Sequence, residues 1–249
     1  MPATDVMDYL KGKGRVLVAF SGGVDSTVLA KLAYDALGDS VLAVTFNTPT
    51  LAASDLSNAR QTADAVGVKH VVVEYTELDD EDFVGNPGNR CYFCKKMMAS
   101  QLFKLAGEHG IEYVVEGTTC DELAGHRPGY QALKEAGVLS PYVELGLSKD
   151  DVRSIAKDYG LDYDKPSGAC LASRIPTGTP VTDELLRKVE QSEEYLRSLG
   201  LTQVRVRVDG SDARIEVYTS EFDLVLSNAK DILEKLPFNR VSLDLRGYS

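Results

Sequence analysis

The apolar run Val16–Phe20 passes without interruption into Ser21-Gly22-Gly23-Val24-Asp25-Ser26, and then into a helical pattern marked by Val28, Leu29, Leu32 and Leu37. A continuous apolar run of strand length needs cover on both faces, and a helix that follows it directly supplies part of that cover. The unit then recurs. Val41–Phe46 reads as a second strand, Leu56–Val66 as a helix, His70–Tyr75 as a third strand, Cys91–His109 as a long helix and Tyr113–Glu116 as a fourth strand. Ser148-Lys149-Asp150-Asp151 is a capping-box start for a helix over Lys149–Tyr159. This alternation predicts an α/β fold built on a doubly wound parallel sheet over residues 1–168.

The pattern stops at Pro166–Pro180, a stretch rich in Gly, Pro, Ser and Thr that reads as a loop or linker. Beyond it the periodicity changes. Thr182–Leu199 is an amphipathic helix with Leu185, Val189, Leu196 and Leu199 along one side. Gln203–Asp209 alternates, with Val204, Val206 and Val208 on one face and Arg205 and Arg207 on the other. Asp209-Gly210-Ser211-Asp212 turns the chain into a strand over Ala213–Tyr218; a helix near Ser220–Leu236 and a strand Val241–Leu245 follow. A smaller C-terminal α+β domain is therefore expected over residues 169–249. No internal repeat is visible.

At 249 residues the chain can bury a full core without disulfide staples. Its 27 Lys and Arg against 38 Asp and Glu, a net charge of −11, disfavour a broad nucleic-acid-binding face. The longest apolar stretches are strand-length, so no membrane span is expected. Met1-Pro2-Ala3-Thr4-Asp5 lacks a basic stretch leading into an apolar core, and the reading is of a cytoplasmic protein rather than a secreted one. In that compartment its four cysteines, Cys91, Cys94, Cys120 and Cys170, are expected to be reduced, and Cys91-x-x-Cys94 points to metal or redox chemistry.

The Ser21–Ser26 loop lies between a strand and its helix, at the carboxyl edge where parallel sheets bind ligands. Gly22 and Gly23 let the backbone approach an anion, the N–H groups opening the helix point at it, and Ser21 and Ser26 offer hydroxyls. Asp25 would repel a phosphate unless a divalent cation stood between them, which suggests magnesium. The string is neither G-x-x-x-x-G-K-[ST] nor G-x-G-x-x-G, so the classical NTPase and dinucleotide readings are weak. It resembles the PP-loop ATP-pyrophosphatases, whose HUP-like domains adenylate a carboxylate or carbonyl oxygen and release pyrophosphate. The resemblance implies ATP as cofactor and places Thr45, Phe46 and Asn47 beside the adenosine. Gly117-Thr118-Thr119-Cys120-Asp121 looks like the second nucleotide-side segment, with Thr118 a contact; Thr119 departs from the Gly-Thr-Asn common among relatives.

Cys91 and Cys94 fall on one face of a helical turn and could share a ligand. Cys170 lies in a loop free to approach them, and Cys120 is the least obvious partner. A Cys₄ zinc site is one reading, but the spacing is not that of two Cys-x-x-Cys arms. Three thiolates with an open position suit an iron–sulfur cluster better, and small buried cysteines remain the plain alternative.

The phosphate loop, Asn89-Arg90-Cys91-Tyr92-Phe93-Cys94-Lys95, the segment from Pro166 through Cys170 to Arg174-Ile175-Pro176, and Gln203–Arg207 together resemble the LarE family over nearly the whole chain. That family sulfurates pyridinium-3,5-biscarboxylic acid mononucleotide on the way to the nickel-pincer cofactor of lactate racemase. The resemblance implies an ATP-dependent sulfurtransferase: a substrate carboxylate is adenylated, a protein-bound sulfur attacks, and a thiocarboxylate and AMP result. Cys170 matches the sulfur-donor position, either sacrificed to dehydroalanine or, with Cys91 and Cys94, holding a [4Fe–4S] cluster whose added sulfide is the donor. Arg174, Arg205 and Arg207 look like contacts for the anionic, nucleotide-like substrate, although alternation alone would also make Arg205 and Arg207 a solvated strand face.

The resemblance further implies a sulfide or protein sulfur source and a homo-oligomer, a hexamer being the candidate state. Glu190, Glu193 and Glu194 read first as a solvated charge run, with a metal or substrate role as the alternative. His70, His109 and His126 are given no catalytic role. A PP-loop tRNA thiolase would be expected to carry a basic extension that this acidic chain lacks. An ammonia-using ligase would leave the cysteines unexplained, and an ATP-binding regulatory module would release no pyrophosphate.

Overall fold

The computed structural model describes residues 2–125, 127–164 and 168–248. His126, and Lys165–Ser167 at the head of the Pro166–Pro180 stretch, lie outside the described residues. The chain forms two compact units, Met1–Tyr75 with Asn89–Gly168, and Thr76–Gly88 with Ala169–Ser249.

The first unit opens with α1 (Pro2–Lys11), β1 (Val16–Ala19), α2 (Val24–Leu37), β2 (Val41–Asn47), α3 (Ala53–Val66) and β3 (Lys69–Glu74). The excursion Thr76–Gly88, with the single turn α4 (Glu81–Val84), belongs to the second unit. The first unit resumes with α5 (Arg90–Glu108), β4 (Tyr113–Val115), α6 (Pro128–Glu135), α7 (Pro141–Glu144) and α8 (Lys149–Asp158). Its sheet is wholly parallel, in the order β3-β2-β1-β4. Alternation along the strands serves two faces. Val16, Val18, Val41 and Ala43 join α1, α2 and α8 in one core, while Leu17, Leu42, Val44 and Phe46 join α5 in the other. Each fully buried aliphatic side chain of this kind stabilises the unit by about 1.5–3 kcal/mol before the entropy of ordering is counted. Strand order reverses between β1 and β4, and their carboxyl ends therefore frame the crevice in which open α/β sheets take ligands.

The second unit contains α9 (Asp183–Ser198), β5 (Arg205–Asp209), β6 (Asp212–Glu216), α10 (Phe222–Ser227), α11 (Ala229–Lys235) and β7 (Val241–Leu243). β5 and β6 are an antiparallel hairpin closing on Asp209↔Asp212, with Gly210 at φ 60, and β7 adds in parallel to β6. The single helix expected over Ser220–Leu236 is broken at Asn228. Its N–H bonds to Val225 O at 3.2 Å and its Nδ2 to Leu224 O at 2.8 Å, closing α10 before α11 begins. Asn side chains compete with the helical ladder in this way. Within the same unit Asn86, buried and at φ 52, donates to Pro176 O (2.8 Å) and Thr179 O (2.9 Å). Gly178 N and Val181 N bond back to Asn86 O and Val84 O, so residues 76–88 and 175–181 fold as one piece.

No helix among the described residues is long and apolar enough to cross a membrane.

Candidate active site

At the end of β1 the chain turns through Ser21, Gly22 and Gly23 into α2. Gly22 has φ 71, and a Cβ there would stand 2.6 Å from Ala59 Cα of α3. Only glycine fits, because both the backbone conformation and the helix behind it exclude a side chain. Gly23 differs: its φ is −77, and the nearest atom to a built Cβ is Ser21 Oγ at 3.4 Å. Ser21 Oγ and Ser26 Oγ lie 3.1 Å apart; Ser21 N donates to Ser26 Oγ, and Ser26 Oγ donates to Gly23 O at 3.1 Å. Both hydroxyls expected to meet a phosphate thus hold the loop's shape. The first N–H groups of α2 have no acceptor within the helix and face the same turn.

Asp25, in the first turn of α2, pairs through Oδ2 with the Lys149 ammonium at the start of α8. Its Oδ1 is buried and accepts no hydrogen bond. Burial pushes the Asp25 carboxyl above the usual aspartate range, against the pull of Lys149. The hydroxyl of Tyr142, fully buried on α7 and kept protonated by that burial, donates to Asp25 O at 3.1 Å. A buried carboxylate oxygen without a donor, beside a phosphate-shaped turn, is the arrangement a divalent cation satisfies, so the loop fits ATP with magnesium held by Asp25.

After β4, Glu116 organises the second segment. It accepts from Thr118 N at 2.9 Å, from Thr118 Oγ1 at 2.6 Å and from the Ser140 hydroxyl. Gly117 lies against the loop closely enough that a Cβ would stand 3.1 Å from the Asp25 carbonyl carbon. Thr119 is buried with an unpartnered Oγ1, and Lys149 N is anchored by Asp121 Oδ2 at 2.6 Å. At the end of β2, Thr45 Oγ1 donates to Phe20 O at 2.7 Å. It therefore accepts from His70 Nε2–H at 2.8 Å, which sets that tautomer. Burial, with Arg60, holds His70 below the ordinary histidine range, so the ring is a neutral prop. Phe46 packs edge-on to Tyr75 at 5.0 Å, and Asn47 Nδ2 donates to both oxygens of Glu74.

Lys149, Tyr142 and Glu116 had not been singled out in the sequence. The capping box does place Lys149 at the head of α8, but only the neighbouring of β1 and β4 brings it to Asp25.

Cys91 and Cys94 occupy the first turn of α5, Cys91 exposed and Cys94 half-buried, and no disulfide joins any of the four cysteines. Gly129 of α6 packs on Cys91, a Cβ there falling 3.6 Å from Cys91 Cβ. Two reduced thiols one turn apart are a donor pair for a soft metal. Among the described residues, no group of three or more His, Cys, Asp or Glu is gathered as a metal site. Cys120 lies 3.8 Å from both Tyr142 O and Val143 O.

In the second unit Cys170 is exposed and precedes a single 3-10 turn, Leu171–Arg174, whose Leu171 and Ala172 are buried. Arg174 is 2% exposed. Its Nε and Nη2 bond to Glu193 at 2.7 and 2.9 Å, and its Nη1 bonds to Ala169 O, Cys170 O and Ser173 Oγ at 2.8, 3.1 and 2.9 Å. Glu193, fully buried on α9, also accepts from Arg197 Nη2 at 2.9 Å and from Val206 N at 3.0 Å. The solvated charge run expected on this helix is therefore divided: Glu194 is exposed and Glu193 lies in the core.

Arg205 is 6% exposed, with its guanidinium over the Tyr248 ring at 5.3 Å, so this strand face is not a solvated one. Arg207 pairs with Glu216 at 2.9 Å and donates to Ser173 O at 3.0 Å. Burial alone would raise the Glu216 carboxyl; hydrogen bonds from Arg207 and Arg214 bring it below its ordinary range. Arg174 and Arg197 both bond to the Glu193 carboxylate, and Arg205 lies within electrostatic reach of all three.

The asparagine synthase family model matches residues 5–161, the whole span of the phosphate loop and its helices. The chain belongs to this family of PP-loop ATP-pyrophosphatases, and it is an ATP-using enzyme. It shares a narrower family with the pyridinium-3,5-bisthiocarboxylic acid mononucleotide synthase of Lactiplantibacillus plantarum, to which it is 37% identical over 96% of this chain and 88% of that protein. An uncharacterized protein of Synechocystis sp. is 42% identical over 94% of this chain and 90% of its own length. Another, from Methanocaldococcus jannaschii, is 29% identical over 94% and 90% respectively.

Proposed function

We propose that the protein is an ATP-dependent sulfurtransferase acting on pyridinium-3,5-biscarboxylic acid mononucleotide, on the route to a nickel-pincer cofactor. The observation that carries this reading is the 37% identity to the mononucleotide synthase across nearly the full length of both chains. The phosphate loop, the buried Asp25 carboxylate and the arginine cluster support it chemically.

In this reading the turn at Ser21–Gly23 and the start of α2 hold the ATP phosphates, and Asp25 holds magnesium against them. A substrate carboxylate oxygen attacks the α-phosphorus; the bond to the β-phosphate oxygen breaks and pyrophosphate leaves. Arg205 and Arg207 bind the substrate's negative charges. A sulfur nucleophile then attacks the acyl carbon and displaces AMP. If that sulfur is Cys170 itself, a thioester forms. Loss of the Cα proton to a base then breaks the Cβ–S bond with its electron pair, leaving a thiocarboxylate and dehydroalanine.

Cys91, Cys94 and Cys170 are the residues that would hold a [4Fe–4S] cluster, a group that supplies a renewable sulfide in place of the cysteine sulfur. The cytoplasm and a homo-oligomer, up to a hexamer, belong to the same reading.

The test is an anaerobic reaction with ATP, magnesium, sulfide and the dicarboxylate nucleotide, read by pyrophosphate release and product mass. Substrate-dependent pyrophosphate together with replacement of oxygen by sulfur is expected. Pyrophosphate release with no sulfur in the product would sink the transfer step, and no release at all would leave an ATP-binding module.

A further inference from the structure

Arg174 and Arg207 together bond to four carbonyl or hydroxyl groups of residues 169–173, around a single exposed cysteine. Arg174 curls back on its own turn. One nitrogen reaches Ala169 O and Cys170 O, and the other two are fixed by Glu193. Glu193 is in turn tied to β5 through Val206 N and to its own helix through Arg197. Arg207 takes the next carbonyl, Ser173 O, while the turn closes on itself through Ser173 N to Cys170 O at 2.9 Å. Leu171 and Ala172 are buried beneath it. A segment whose composition reads as a linker is thus pinned on both sides of Cys170, which is itself exposed.

We propose that Arg174 and Glu193 are positioning residues for Cys170: the buried pair holds the cysteine's peptide so that its sulfur is presented in one orientation, and Arg174 does not itself bind the substrate. A guanidinium that is 2% exposed and bonded to a carboxylate, two carbonyls and a hydroxyl cannot reach a dissolved anion without dismantling the turn. An adenylated carboxylate is short-lived in water, so a sulfur out of line loses the race to hydrolysis, and small misplacements are costly. The assignment rests on the sulfurtransferase reading for its catalytic consequence, but not for the clamp itself.

Two variants test it in the full-length protein. Arg174→Lys keeps the charge but offers one nitrogen where the turn uses several. Arg174→Met combined with Glu193→Leu removes both buried charges together, a change that folds tolerate far better than loss of one partner. The expected result in both is that thiocarboxylate formed per pyrophosphate released falls by about tenfold or more, the adenylate being lost to water. The double variant is expected to do so with its melting temperature preserved. A wild-type ratio in the folded double variant would overturn the proposal, leaving a structural pair. A raised apparent KM for the dicarboxylate nucleotide at a wild-type ratio would overturn it in favour of a substrate contact.

Hydrogen exchange of peptides covering residues 168–176 gives a readout that survives failure of the sulfurtransferase reading. If the clamp holds the turn, exchange at Ser173 N–H is expected to speed by about tenfold or more in the double variant, while β1 and β2 keep wild-type protection. Unchanged exchange there would refute the clamp whatever the enzyme makes.

Discussion

Lys149, the first residue of α8, gives its ammonium to Asp25 in the phosphate loop, and the second oxygen of that carboxylate is buried with no donor. The pair joins two elements separated by 124 positions in sequence. It leaves Asp25 with one oxygen unsatisfied, the oxygen that the proposed magnesium would take. Asp25→Ala is therefore expected to abolish pyrophosphate release while the α/β core stays intact, the two being read by coupled phosphate assay and circular dichroism. Normal turnover in that variant would remove Asp25 from metal binding.

The pH dependence follows from the same carboxyl. Burial raises its pKa, so in the folded protein it takes up a proton above the ordinary aspartate range. In the proposed reading it is the ionised Asp25 that would bind magnesium. Acidification should therefore raise the apparent magnesium requirement beginning above that range, by up to about tenfold per pH unit once the group is mostly protonated. For stability the sign is opposite to that of a well-paired aspartate. The contribution is present below the unfolded pKa and is lost as pH rises through the folded one, and added magnesium should offset that loss. A magnesium requirement that is flat across mildly acidic pH would contradict this.

The two loop glycines are expected to behave differently on replacement by alanine. Gly22→Ala places a methyl 2.6 Å from Ala59 Cα at φ 71, a backbone clash that should cost about 1–3 kcal/mol in urea unfolding. Gly23→Ala meets only ordinary contact and should cost less than 1 kcal/mol, within about the error of such a measurement. Equal losses at both positions would mean that α3 does not press on the loop as described.

In the proposed reading Arg205 and Arg207 contact the substrate. Loss of a charge-assisted contact is worth about 1.5–3 kcal/mol, so Arg205→Ala should raise the apparent KM for the dicarboxylate at least about tenfold and leave that for ATP nearly unchanged. Arg207→Ala should also free Glu216 from a partner and return its carboxyl towards the ordinary range, visible by NMR titration. An unaltered KM in the double variant would confine both residues to holding the fold.

The source of sulfur separates by cysteine. Cys91→Ala, Cys94→Ala and Cys170→Ala are each expected to lose iron, acid-labile sulfide and multiple turnover together, because a cluster deprived of one thiolate becomes labile. Cys120→Ala should keep all of them. A wild-type protein that stops at one sulfur per chain and gains dehydroalanine at position 170 would establish the sacrificial route instead.

Much of this architecture is local in origin and was legible in the chain. The apolar runs of β1, β2 and β3, the capping-box start at Ser148 and the turn at Gly210 each follow from neighbours a few residues apart. Side-chain period and backbone freedom act at that range. The phosphate loop could be read for the same reason: its chemistry lies in six consecutive residues.

What only the tertiary structure decided are the partnerships between distant polar groups. Glu193 and Glu194 are adjacent and chemically identical, yet one is sealed among three arginines and a strand N–H while the other faces water. Their difference is set by what packs on α9, not by the helix. Asn86 gains its buried partners only where residues 175–179 close over it. Lys149 reads as a helix-start charge until β4 lies beside β1. Burial determines whether a charge must find a partner, and burial is a property of the assembled fold.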